Sequence, residues 1–206
     1  MNSSFVTAVT AATATATTHA TLADLARPSA RAEARLYDAG LVVAGSLVVA
    51  LSAPAEIVLP FTPVPLTLQP FAVLLVGAAL GARRGALALI AYLGEGALGL
   101  PVFAGGAAGV ATMLGPSGGY LVGFVPAAFV TGFLAERGWD RRFLTTWAAM
   151  ALGSATLFAC GLPWLAQFVG WDRVLAAGLW PFVPGDVVKQ VAAAVALPGV
   201  WKVVRR

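Results

Sequence analysis

This sequence has one cysteine, one histidine and few charges, and each scarcity removes a class of function. Cys160 has no second cysteine to pair with, so an intramolecular disulfide and a thiolate metal cluster are both excluded. With His19 as the sole imidazole, a zinc site of the HExxH type is excluded as well. No Walker loop is present, so the chain has no visible means of hydrolysing a nucleotide, and uphill transport would draw on a partner or a coupling ion. Charged residues make up only 11% of the 206 positions.

What fills the chain instead is apolar. Hydrophobic residues account for 59% of it and the mean hydropathy is +0.85, outside the range of soluble domains and expected of an integral membrane protein. The charges that remain are arranged by position. Arg27, Arg31 and Arg35 precede the first apolar run, Arg83 and Arg84 follow the second, Arg137, Arg141 and Arg142 follow the fourth, and Lys202, Arg205 and Arg206 close the chain. Every second connection is basic. The positive-inside rule then predicts an all-α membrane protein with six spans and both termini cytoplasmic, embedded among the lipids of the cytoplasmic membrane. Because topology accounts for the basic clusters, no nucleic-acid surface is expected.

Along the chain, residues 1–34 are expected to be a disordered, Ala/Thr-rich cytoplasmic tail, with His19 a solvated tail residue, and 35–206 the membrane domain. Span one is expected from about Leu36 to Ala53. Its Gly40, Ala44, Ser46 and Ala50 fall at small-xxx-small spacings that let another helix approach, within this chain or from a partner. Between Pro54 and Pro70 stand five prolines among apolar residues, too many for a helix and too apolar for a solvated loop. Span two, opening at Gln69-Pro70 and reaching Gly81, is too short to cross alone, so this loop is expected to dip inward. Span three runs from about Gly85 to Leu98, with Glu95 expected to be solvated at its end.

From Pro101 to Gly119 the chain has six glycines, two prolines and no charge, a loop whose backbone can approach a ligand closely. Tyr120 follows, as interfacial anchor or aromatic wall. Spans four and five are expected over about 119–135 and 143–162, then an outer connection from Pro163 to Trp180 with its tryptophans at headgroup level. Span six opens with Pro181-Phe-Val-Pro-Gly-Asp-Val-Val-Lys-Gln190. Asp186 and Lys189, three residues apart, share one helix face, and at membrane depth each costs about 2.5–3.5 kcal/mol, so they require a partner or a ligand.

Four of these stretches, in this order, resemble the signatures of the BioY family: Pro63-Val-Pro-Leu-Thr-Leu-Gln69, Gly96-Ala-Leu-Gly-Leu-Pro-Val-Phe103, Gly115-Pro-Ser-Gly-Gly-Tyr120 and Pro184-Gly-Asp-Val-Val-Lys189. That family comprises biotin-binding S-components of energy-coupling factor (ECF) transporters. The resemblance spans about Leu36 to Val204. It implies no enzyme and no cofactor. Biotin would be the transported substrate, taken up in a pocket near the outer face, and the partners a transmembrane T-component with paired ATPases, or further copies of the chain if it works alone. By motif, the pocket residues would be Lys189, Asp186, Tyr120, Phe103, Gly105, Gly106 and Gln69. The small residues of span one would meet the T-component. Some family members place Asn in the glycine loop, where this chain has Ala107 and Ala108.

Biotin joins a ureido ring to a valerate carboxylate. An acceptor for ureido N–H, a cation for the carboxylate and an apolar wall between would recognise it, and Asp186 and Lys189 supply the first two. Two other readings use the same pair: an S-component for a different vitamin, or a membrane enzyme with Asp186 and Lys189 as acid and base.

Overall fold

The computed structural model describes residues 20–204. Six longer helices carry the chain up and down: α1 (Arg31–Leu51), α2 (Gln69–Leu80), α3 (Ala82–Ala97), α4 (Gly118–Glu136), α5 (Phe143–Val169) and α6 (Val183–Val204). Among the described residues, four helices (α1, α4, α5 and α6) are long and apolar enough to cross a membrane, and α2 is a shorter apolar helix. Its 12 residues rise about 18 Å, well short of a hydrocarbon core of about 30 Å.

Pro70 opens α2, where its missing N–H costs nothing. Gly81, at φ +87°, ends it and turns the chain straight into α3. The first N–H of α3, on Ala82, donates to Glu136 Oε1 at 2.8 Å, so the last residue of α4 caps the start of α3. This knot of α2, α3 and α4 is drawn tight by glycine. A Cβ on Gly77 would overlap the backbone of Ala128, and one on Gly132 would overlap Gly81 and Ala82. The long contact between α4 and α5 continues the bundle, and α6 packs on α5.

At the other end, the Pro-rich stretch forms a strap. Two residue pairs, Glu56 with Thr67 and Ile57 with Leu66, make a minimal antiparallel ladder between β1 (Glu56–Ile57) and β2 (Leu66–Thr67). Pro54, Pro60, Pro63 and Pro65 offer no N–H, which keeps the ladder this short. The Gly-rich loop after α3, the N-terminus of α4, the C-terminus of α5 and the start of α6 come to the same end.

Three expectations differ from the structure. The expected tail falls in two parts. Residues 1–19, with His19, lie outside the described residues, whereas Leu22–Ala26 form a 3-10 turn and α1 already begins at Arg31. Ion pairing holds that turn in place: Arg84 meets Asp24 at 2.5 Å and Asp38 at 3.1 Å, and Arg27 meets Asp38 at 2.7 Å. Second, α5 does not stop before Pro163 but runs through it to Val169. The helix bond lost at proline is offset by packing: Leu165 and Ala166 are buried and Trp164 lies on Gly118 and Gly119, its indole N–H donating to Gly115 O at 2.9 Å. Trp164 is therefore a packing residue, while Trp171 and Trp180 are exposed. Third, Glu95 is not left to solvent, because Ser46 Oγ donates to Glu95 Oε1 at 2.7 Å.

That bond also divides the small-residue face of α1. Ser46 is fully buried, so its hydroxyl serves the inside of the bundle and cannot meet a partner from outside. Gly40 and Ala44 are exposed, and Ala50 is half-buried.

Candidate functional site

A cavity of about 150 Å³ lies beneath the strap, where loops and helix ends converge. Its walls are mostly apolar. Phe103 comes from the Gly-rich loop, Tyr120 and Phe124 from α4, Phe158 from α5, Phe182 from just before α6, and Val64 and Pro65 from the strap. Polar groups reach it at few points: Thr67, Gln69, Thr112, Ser117, Tyr120 and Asp186. An aromatic chamber with a few convergent polar groups is the usual form of a small-molecule site.

Local sequence explains how each wall is held. Phe103 is 1% exposed, and its ring takes the space over Gly96 that any side chain there would fill. It meets Tyr92 edge-on, ring centres 5.6 Å apart, the arrangement that aromatic quadrupoles favour. Tyr120 packs over Gly161, stacks with Phe182 and donates its hydroxyl to Gly178 O at 2.8 Å. It is thus an aromatic wall, not an interfacial anchor.

Asp186 sits in the first turn of α6, its N–H bonded to Phe182 O at 2.9 Å, and is largely buried. Ser154 Oγ donates to its Oδ2 at 3.1 Å, and Lys189 Nζ stands 3.9 Å from its Oδ1. Its carboxylate borders three spaces: the main cavity, a small recess shared with Lys189 and Gln190, and a groove between α5 and α6.

The site residues expected from the sequence separate here. Asp186, Tyr120, Phe103 and Gln69 line the cavity. Lys189 does not; it lines the adjoining recess, and its Nζ donates to Thr67 O of the strap at 2.9 Å. Gly105 and Gly106 also lie off the cavity, where neighbouring Ala104 takes their place. A Cβ on Gly105 would instead approach Glu56 Oε1 at 3.2 Å, so Gly105 lies against the strap, whereas a Cβ on Gly106 would meet open space.

Sequence reasoning missed Thr67, Thr112, Ser117, Phe124, Phe158 and Phe182. The hydroxyl residues lie inside or beside the quoted motifs, so proximity to those motifs was the available signal. Around Ser117, Gly115-Pro-Ser-Gly-Gly119 has the Gly-x-Ser-x-Gly spacing of a hydrolase nucleophile turn. Its setting is not the strand-to-helix elbow of that chemistry, since a short helix (Val110–Met113) precedes it, and no histidine is found among the described residues. Among those residues, too, no group of three or more His, Cys, Asp or Glu side chains is placed to hold a metal.

Comparison with known proteins agrees with this architecture. The BioY family model matches residues 6–206. The biotin transporter BioY of Rhizobium etli is 42% identical over 157 residues, 72% of this chain and 84% of the relative. That of Thermotoga maritima is 39% identical over 156 residues, 75% of this chain and 90% of the relative. In fold, the chain is similar to the crystal structure of the S-component for biotin from an ECF-type ABC transporter, with a TM-score of 0.75 and 24% identity over 85% of this chain and 95% of the other. This chain is a membrane-embedded member of the BioY family.

Proposed function

We propose that this chain binds biotin at the strap end of its bundle and serves as the substrate-binding S-component of an ECF-type biotin uptake system. The observation that carries the reading is the placement of Asp186 and Gln69 on the wall of an aromatic chamber, with Lys189 in the recess next door. A ureido ring brings N–H donors, and Asp186 and Gln69 bring acceptors. The apolar faces of the bicycle suit Phe103, Tyr120, Phe158 and Phe182.

A cavity of this size is on the scale that holds a single ring. The valerate therefore extends beyond it toward Lys189, whose ammonium leaves the Thr67 carbonyl to meet the carboxylate. Exchanging a neutral acceptor for a charged one favours the ligand. The backbone of Gly105 closes against the strap rather than against the ligand.

Six spans, with α2 and α3 completing the membrane domain alongside the four long helices, put the chamber near the outer face and both termini in the cytoplasm; the basic connections support that orientation. The exposed Gly40 and Ala44 of α1, with half-buried Ala50, are the face offered to a T-component with its ATPases, or to another copy if the chain works alone. Relatives that are transporters leave the acid–base enzyme reading without support.

Biotin binding by the folded, purified chain tests the proposal directly. Submicromolar binding that weakens at least tenfold in Asp186→Asn and Lys189→Ala is expected. Unchanged dissociation constants in both variants would refute the assignment, and tighter binding of another vitamin in a ligand panel would transfer it.

A further inference from the structure

One layer behind the chamber, three groups form a short relay. The amide Nε2 of Gln69 donates to the Tyr92 hydroxyl, and that hydroxyl donates to Val102 O at 3.1 Å. Tyr92 itself is fully buried in α3 and is absent from the cavity wall.

The direction of this relay follows from counting protons. A tyrosine hydroxyl has one hydrogen, and a backbone carbonyl has none to give. The Tyr92 hydrogen is therefore committed to Val102 O, and the hydroxyl oxygen can only accept from Gln69. If the amide were reversed, its oxygen would face a hydroxyl with no hydrogen left, or Val102 O would lose its donor. The first strands a buried polar group and the second leaves a half-buried carbonyl without its donor.

Gln69 is consequently held with Nε2 inward and Oε1 outward. Among the described residues no donor meets Oε1, the atom is not sealed within the protein, and Gln69 lines the cavity. The relay also joins two walls that are distant in sequence, since Gln69 follows directly on the strap and Val102 precedes Phe103 of the Gly-rich loop.

We propose that Tyr92 is a positioning residue that locks Gln69 with its carbonyl oxygen toward the chamber, so that the site selects ligands that bring an N–H donor to that oxygen. The inference rests on the binding site assigned above and adds its polarity at one wall. A cyclic urea satisfies it. A ring with oxygen in place of that nitrogen sets two acceptors against each other and is rejected.

The test compares biotin with two cyclic carbamate analogues, each replacing one ureido N–H by oxygen, for the wild type and four variants. In wild type, the carbamate with its oxygen toward Gln69 binds about tenfold more weakly than biotin, the scale of one lost hydrogen bond with an acceptor left unmet, and the other carbamate reports on Asp186. Tyr92→Phe keeps the ring against Phe103 but frees the amide to turn, and the ratio falls at least threefold. Gln69→Leu abolishes the ratio, and Tyr92→Phe in that background changes it no further. Gln69→Glu, which still presents an oxygen to the chamber, retains it. Simple loss of packing would weaken all three ligands alike and leave the ratio intact.

Wild-type selectivity that persists in Tyr92→Phe overturns the positioning role, as do carbamates that both bind the wild type as well as biotin does. If Tyr92→Phe fails to fold, the Gln69 pair decides, and loss of the ratio in Gln69→Glu as in Gln69→Leu overturns the proposal. A folded wild type that binds no biotin refutes the functional assignment itself, an outcome distinct from any change in ratio.

Discussion

Replacing Gly96 by alanine adds one methyl group at the point where α3 supports the chamber. The Phe103 ring lies where that methyl would go: three of its carbons are nearer to an ideal Cβ on Gly96 than any van der Waals contact allows. Phe103 is 1% exposed, so the ring has little free space except toward the cavity. Overpacking of this kind costs about 1–3 kcal/mol, and loss of the edge-on contact with Tyr92 about 0.5–1.5 kcal/mol. A ring displaced inward also takes up part of the roughly 150 Å³ that the ligand requires. Gly96→Ala should therefore lower the melting temperature of the purified protein and weaken biotin binding by about tenfold or more. Phe103→Leu in the same chain returns the space. The double variant should recover a good part of both losses relative to Gly96→Ala, a non-additivity expected of residues in direct contact. Paired thermal melts and equilibrium binding on the four proteins measure this. Wild-type stability and affinity in Gly96→Ala, or purely additive losses in the double variant, would refute the account of how Phe103 is held.

Three other perturbations read separate parts of the structure. Lys189→Met should weaken biotin by about ten- to a hundredfold while changing biotin amide little, since a bond between charged groups is worth about 1.5–3 kcal/mol; equal losses for both ligands in a binding titration would reduce Lys189 to a tether for Thr67. Trp164→Phe removes the N–H that meets Gly115 O and should cost about 1 kcal/mol in denaturant unfolding, with proteolysis of the 110–118 segment accelerated. At the opposite end, burial disfavours the Asp24 carboxylate. The Thr21 N–H and hydroxyl and the Arg84 guanidinium outweigh it, holding the group below its ordinary value of 3.8. A lowered folded value contributes stability that is present above that ordinary value and is lost as pH falls through the folded one. Arg84→Gln should flatten this acid limb, seen as a smaller drop in melting temperature between neutral and acid pH.

Much of the site could be read from the chain because a membrane makes certain residues conspicuous. Asp186 stands out in an apolar helix, and clusters of proline and glycine where helices are required mark the strap and the loop that build the chamber. The aromatic walls were hidden for the converse reason. In α4 and α5 an inward Phe and an outward Phe look alike, since Phe124 lines the chamber and Phe129 is exposed with no polar face to tell them apart. Lys189 shows a different limit. Spacing put it on the face of Asp186, but a long side chain chooses among nearby acceptors, and here it takes the Thr67 carbonyl across the recess. Pro163 was read as a helix end, although buried neighbours on α4 carry the helix through it. Tyr92, in the middle of an apolar helix, gives no sign in sequence that its hydroxyl joins two loops.

The contrast between the two ends of the bundle has a further consequence. Where Gly77, Gly132 and Glu136 join α2, α3 and α4, backbone meets backbone and a methyl group has no room. The strap over the chamber is itself held lightly, by two residue pairs and one lysine. Substitutions at the first end register as heat lability in every ligand state. Substitutions confined to the strap register instead as altered dissociation rates, with the melting temperature of the ligand-free chain nearly constant. Endurance thus rests in the packed helices and responsiveness in the strap laid across one end of the bundle, so selection can retune the strap with little effect on the rest.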